Sequence, residues 1–228
     1  MGETRPNKLS RTHDRRLRQM YRSAGWPCLD TVEIELLAAG LLERRLEPSG
    51  KEYLRVTEAG IAHLARTLDS NRAAFDAHES LVQRVAEEMQ RQGRVAYRGL
   101  SLRAKPGESW LQLRPDVYSI RNTTVEDYVE PVVHEIKVRR ADLLSDLKKP
   151  DKRAGYLALS AECYYVLQAG IAEPAEIPPE CGVLIAGESR IEVARLAPKR
   201  PLKLGFATWM ALAKAEPSRA PPEPEPGL

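Results

Sequence analysis

Hydrophobic and polar positions along this chain follow two periods, one near 3.6 residues and one of 2, and the switches between them mark its elements. Leu17, Met20 and Tyr21 recur at helical spacing and predict a first helix over Thr12–Ala24, ended by Gly25, Trp26 and Pro27. A second helix is expected from Asp30, whose carboxylate can cap it, with Glu33 placed for a capping box. Its apolar positions are Val32, Ile34, Leu36, Leu37 and Leu41, and Gly40 lies near its end. Two short strands, Leu42–Leu46 and Tyr53–Val56, flank a turn at Pro48, Ser49 and Gly50. Thr57 caps a further helix that presents Ile61, Leu64, Ala65 and Leu68. A separate helix over Arg72–Gln92 opens the second half, with His78, Val82, Val85, Ala86 and Met89 on its apolar face.

Beyond Gln92 strands predominate. They are expected at Arg94–Arg98, Trp110–Ile120 and Val129–Val138, with a polar loop between Ile120 and Val129. Helices over Ala141–Leu147 and Lys152–Ala161 follow, then strands at Cys163–Gln168, Gly182–Ala186 and Arg190–Leu196, and a last helix over Leu204–Ala215. Strands alternating with helices imply an α/β sheet covered on both faces. The proline-rich end, 216–228, has too few apolar residues to build a core.

Composition narrows the options. With 43% hydrophobic and 29% charged residues among 228, the chain has the make-up of a soluble globular protein. No apolar run approaches the roughly 20 residues of a membrane helix, and the basic start does not read as a signal peptide, so a cytoplasmic location is expected. Three scattered cysteines (Cys28, Cys163, Cys181) and four unpaired histidines (His13, His63, His78, His134) suit neither a disulfide framework nor zinc. The net charge of +3 is uneven: Met1–Gly25 carries seven basic residues against two acidic ones, leaving the remainder at −2. Such an arm suits a phosphate backbone, and equally a solvated terminus.

The candidate chemistry lies in RPDVYSIRNTTVEDYVEPVVHEIKV, residues 114–138. On a strand, Glu135 and Lys137 point one way while His134, Ile136 and Val138 point the other, which makes His134 a core residue. Asp116 is expected to end the preceding strand, sharing a face with Trp110, Gln112 and Arg114. If the two strands are neighbours, Asp116 and Glu135 converge with Lys137 beside them. Two converging carboxylates repel unless a cation lies between them, and oxygen ligands suit Mg²⁺ or Mn²⁺. A divalent ion beside a lysine is equipped for phosphodiester hydrolysis. Each residue has a plainer reading: Asp116 as a turn residue after Pro115, Glu79 as a solvated helix position, Glu135 and Lys137 as an exposed pair.

Pro115-Asp116 and Glu135-Ile136-Lys137 resemble the two half-motifs of the PD-(D/E)XK nuclease superfamily. The resemblance implies a restriction-endonuclease-like mixed sheet flanked by helices, and a metal site formed by Asp116, Glu135 and the helix residue Glu79. Asp116, Glu135, Lys137 and Glu79 would then be catalytic. The stretch HEIKVRRADLLSDLKKPDKRAGYLALSAECYYVL is similar to the MmcB-like branch, bacterial proteins linked to DNA repair, although Arg153 stands where that branch has tryptophan. GLLERRLEPSGKEYLRVTEAGIAHL resembles the wing and last helix of a winged-helix module, with one helix fewer before the hairpin than usual. These resemblances divide the chain into a basic disordered arm (1–11), a winged-helix-like DNA-binding domain (12–70), a nuclease-like domain (71–215) and a disordered tail (216–228). They imply DNA as partner, contacted by Arg15, Arg16, Arg18, Arg139, Lys152, Arg153 and Tyr156. A homodimer is the form in which many such nucleases cut both strands. The expected activity is divalent-metal-dependent DNA hydrolysis; the alternative is an inactive, DNA-binding or regulatory relative.

Overall fold

A computed structural model describes residues 9–23, 25 and 27–219. Most of the expected basic arm and most of the proline-rich tail lie outside these residues, as do Ala24 and Trp26. The chain divides into two compact units, Met1–Ala73 and Ala74–Leu228.

The first unit runs helix, helix, hairpin, helix. Helix α1 spans Arg11–Arg22 and α2 spans Thr31–Ala38, the latter capped by Asp30 Oδ1, which accepts from the Glu33 amide at 3.0 Å. Glu33 does not close a capping box. It is buried and accepts from the amides of Cys28 and Leu29 and from Arg16, which fixes the turn ahead of α2. Strands β1 (Leu42–Leu46) and β2 (Glu52–Val56) pair antiparallel. Leu17, Met20, Leu36, Leu42, Leu54 and Leu64 close the core between helices and hairpin. Gly25 is required where the chain touches this hairpin: φ is +74°, and an added Cβ would lie 2.1 Å from the Leu54 carbonyl oxygen.

Helix α3 differs from expectation. The two helices expected around 57–68 and over Arg72–Gln92 are one, Glu58–Arg91, 34 residues long. Polar residues at 69–72 suggest a break, but no glycine or proline stands between Ile61 and Gln92 to stop propagation. Of the apolar positions expected on its first turns Leu64 is buried, whereas Ile61 and Leu68 are exposed. The division between the units falls within α3.

The second unit is built on a mixed six-stranded sheet. Strands β3 (Arg94–Arg98), β6 (Val117–Arg121), β7 (Val132–Lys137), β8 (Glu162–Gln168), β9 (Gly182–Ala186) and β10 (Ile191–Arg195) lie in the order β10-β9-β8-β7-β6-β3. The three central strands β7, β8 and β9 are parallel, and the flanking pairs are antiparallel. The strand expected over Trp110–Ile120 is interrupted at Arg114–Asp116. Its first part, β5 (Leu111–Leu113), pairs instead with β4 (Leu102–Ala104) as a separate hairpin that the sequence analysis did not anticipate.

Helices cover both faces. Leu81, Val82, Val85, Ala86 and Met89 of α3 pack on one side, against Val117, Val132, Ile136 and Val166. Helices α4 (Arg140–Leu147), α5 (Pro150–Leu159) and α6 (Phe206–Lys214), with the β4–β5 hairpin, complete the other side, where Val133, Tyr118 and Tyr165 meet Leu143, Tyr156, Leu159 and Leu212. Strand β7 is buried along its length, so its alternate residues serve two different layers. Among the described residues no helix is long and apolar enough to cross a membrane.

Candidate functional site

Strand β7 sets up the site by its alternation. His134 and Ile136 belong to the α3 layer. Burial, aided by the charge of Arg94, depresses the pKa of His134 to about 3 and keeps its ring neutral. Glu135 and Lys137 face the layer of α4 and α5. Asp116 lies one step beyond the Val117–His134 pair of β6 and β7, so continuing that antiparallel register sets it opposite Glu135. Its Oδ2 accepts from the Ile136 amide at 2.7 Å, which ties the carboxylate to the backbone between Glu135 and Lys137. The expected convergence therefore exists, with one correction: Asp116 precedes β6 instead of ending the strand that holds Trp110 and Gln112.

Around Glu135 the structure assembles a buried cluster of four charges. Lys137 Nζ lies 2.5 Å from Glu135 Oε1, and Lys152 Nζ on α5 lies 2.6 Å from the same oxygen. Lys152 also donates to Asp146 Oδ1 at 2.6 Å, and Lys137 stands 3.7 Å from that oxygen. Tyr165 OH donates to Asp146 Oδ2 at 2.9 Å. Side-chain exposure is 4% for Glu135 and 6% for Asp146, so neither carboxylate is neutralised by water. Burial opposes ionisation of Asp146, yet Lys137 and Lys152 outweigh it and hold its pKa below the aspartate range. Burial likewise opposes the Lys152 ammonium, and Glu135 with Asp146 keeps its pKa above the lysine value. Two carboxylates against two ammoniums leave the cluster neutral.

One oxygen is not accounted for. Glu135 Oε2 is buried and accepts no hydrogen bond, and the Tyr156 hydroxyl is likewise buried and unpaired. Burial, together with the charges of Glu135, Asp116 and Asp146, raises the pKa of Tyr156. The field of all three carboxylates thus converges on one ring.

Sequence-expected residues separate here. Asp116, Glu135, Lys137 and Lys152 come together. Glu79 does not join as a third ligand: it is half-exposed on α3 and accepts from His78 Nδ1 at 3.3 Å. His78, assigned from sequence to an apolar face, stands between Glu79 and Asp116, 3.4 Å from Asp116 Oδ1. The Asp116 carboxylate raises its pKa against its partial burial. Among the described residues no group of three or more His, Cys, Asp or Glu side chains is arranged to hold a metal, so the expected three-carboxylate set is not assembled. Tyr156 is 2% exposed and packs in the core, which leaves no side-chain surface for DNA. Arg153 is held by Glu180 at 2.8 Å, and Arg16 by Asp30 and Glu33, both at 2.6 Å. Arg15 is exposed, Arg18 donates to the Asp14 carbonyl, and Arg139 sits half-buried at the N-cap of α4.

Asp146 is the member that sequence reasoning passed over. Its signal was a carboxylate three residues after Leu143, on the face α4 turns inward. Without knowing how α4 docks, that face is indistinguishable from the solvated one bearing Asp142. Phe75, Arg98 and Arg114, which share a cleft with Asp116, carried no local signal.

A buried carboxylate–lysine cluster at the end of a parallel central strand is the feature this α/β protein presents for comparison. No family model matches the chain, and no curated protein matches it. Among solved structures it is similar to a protein of unknown function from Silicibacter pomeroyi, at 28% identity over 58% of this chain and 78% of that one, with a TM-score of 0.41.

Proposed function

We propose that the protein is a divalent-metal-dependent DNA nuclease, acting in the cytoplasm in DNA repair or processing. The observation that carries the reading is the meeting of Asp116 with the Glu135–Lys137 strand, together with a buried Glu135 oxygen that no protein donor satisfies. The donor set fits Mg²⁺ or Mn²⁺. Both ions are commonly held by one or two carboxylates with water and phosphate completing the shell, and Asp116 Oδ1 and Glu135 Oε2 are the oxygens not committed to backbone or lysine. When bound, the ion would supply Lewis acidity at a phosphoryl oxygen and lower the pKa of water. Lys137 is held in place by Glu135, and its ammonium directs donors to the nucleophile or the developing negative charge. Asp146 and Tyr165 fix Lys152, which in turn orients Glu135.

A second reading, a nuclease-like domain that binds DNA without cutting it, is favoured by one observation: the cluster is already charge-balanced by its two lysines. Incubation with linear, nicked, single-stranded and forked DNA in Mg²⁺, Mn²⁺ or EDTA separates the two. Asp116→Asn keeps an acceptor for the Ile136 amide and removes a ligand charge, so it should fold normally while cleavage falls at least about 100-fold. Lys137→Ala should lose cleavage to a similar degree. Cleavage that persists in EDTA, or in both variants, refutes the nuclease reading of this cluster.

A further inference from the structure

A cleft of about 530 Å³ opens beside Asp116, and its walls mix one large apolar ring with two arginines. Phe75, on α3, is 63% exposed. Arg98, at the end of β3, is exposed and has no hydrogen bond or ion pair among the described residues. Arg114 is held from one side only, its Nε donating to the Gly99 carbonyl at 2.8 Å, so its terminal nitrogens remain available. Gly99 makes that placement possible. Its φ is +56°, and an added Cβ would come within 2.9 Å of the Arg114 guanidinium. The same glycine donates its amide to the Asp116 carbonyl at 3.0 Å, so one turn positions both the arginine and the candidate ligand.

Two guanidinium groups without carboxylate partners match phosphates, which any nucleic acid offers. An exposed phenylalanine in the same cleft does not suit a duplex, whose bases are stacked inside and present no face to a ring. It suits an unpaired strand, where base–aromatic stacking and a cationic track act together. A protein partner would call for a continuous apolar patch, whereas Phe75 stands among charged side chains.

We infer that this cleft takes an unpaired DNA strand, with phosphates on Arg98 and Arg114 and a base stacked on Phe75, and leads it to Asp116. The inference rests on the nuclease reading of the neighbouring cluster and names its substrate class: single-stranded ends, flaps or gaps in preference to intact duplex.

Fluorescence anisotropy of the full chain in EDTA tests it, using labelled oligothymidine and a blunt duplex of equal length. Oligothymidine should bind more tightly. Phe75→Ala should weaken oligothymidine binding by about 5- to 100-fold, the loss of one stacked base, and duplex binding by less than about twofold. Phe75→Trp should restore it. Arg98→Ala with Arg114→Ala should flatten the salt dependence of oligothymidine binding by roughly one logarithmic unit per unit of log salt. Tighter duplex binding, equal losses on both ligands, no effect of Phe75→Ala, or oligouridine binding tighter than oligothymidine would each overturn the assignment. Because cleavage plays no part in this measurement, the two readings fail separately. The binding pattern without metal-dependent cleavage sinks the nuclease, and cleavage indifferent to Phe75→Ala sinks the strand site.

Discussion

Replacing Lys152 with methionine removes one of the two positive charges from the buried cluster while leaving an unbranched side chain of similar reach. In the native protein Lys152 makes two charge-assisted hydrogen bonds of 2.6 Å, to Glu135 and to Asp146. Without it Lys137 alone faces both carboxylates, at 2.5 and 3.7 Å, and the cluster carries an uncompensated negative charge. Breaking a fully buried pair costs about 3–5 kcal/mol. Lys152 keeps 27% of its side chain exposed, so solvent screening reduces the expected loss to roughly 2–3 kcal/mol. The companion Asp146→Asn change restores one carboxylate to one ammonium and still offers an acceptor to the Tyr165 hydroxyl. The double variant should therefore be more stable than the sum of the single losses, by about 1–2 kcal/mol. Urea denaturation at neutral pH in EDTA measures all four corners of the cycle. Adding Mn²⁺ should stabilise Lys152→Met more than the wild type, since a bound cation replaces the missing charge and stabilises by mass action. A loss below about 0.5 kcal/mol, or a cycle with no coupling, would refute the claim that Lys152 is an internal counter-ion of Glu135 and Asp146.

Two further outcomes concern the frame around the site. The buried His134 ring has its pKa lowered from 6.5 to about 3, so between these values the unfolded chain takes up a proton that the folded one refuses. Stability should be level above about pH 6.5 and fall by about 1.4 kcal/mol per unit as the pH drops below it. A His134→Phe variant should lack this slope, and identical denaturation profiles for the two proteins between pH 4 and 7 would refute it. Gly25→Ala places a Cβ on the Leu54 carbonyl at positive φ, so the first unit should lose about 2 kcal/mol or more; unchanged amide-exchange protection along β2 would count against this.

Local pattern carried a good part of the architecture. Strand β7 and its parallel neighbours were legible because a run buried on both faces reads as near-continuous apolar residues, and Glu135 and Lys137 interrupt that run on one face only. The three-residue strands β4 and β5 were not legible, since so few positions cannot display alternation, and Arg114–Asp116 looked like the continuation of a strand. The single helix α3 was misread as two because a polar stretch was taken as a break where the chain has no residue that breaks a helix.

The site divides in the same way. Sequence alone determined which residues could share a strand face, Glu135 with Lys137 against His134 with Ile136, because side-chain alternation depends only on neighbours along the chain. It also supplied Asp116 as a candidate partner. Only the tertiary structure decided that Asp146 and Lys152 complete the charge balance, that His78 and not Glu79 reaches Asp116, and that Phe75, Arg98 and Arg114 line one cleft. Those residues come from separate helices, strands and turns. Their meeting is set by strand order and by how α3, α4 and α5 dock on the sheet, which are non-local consequences of burying two faces at once.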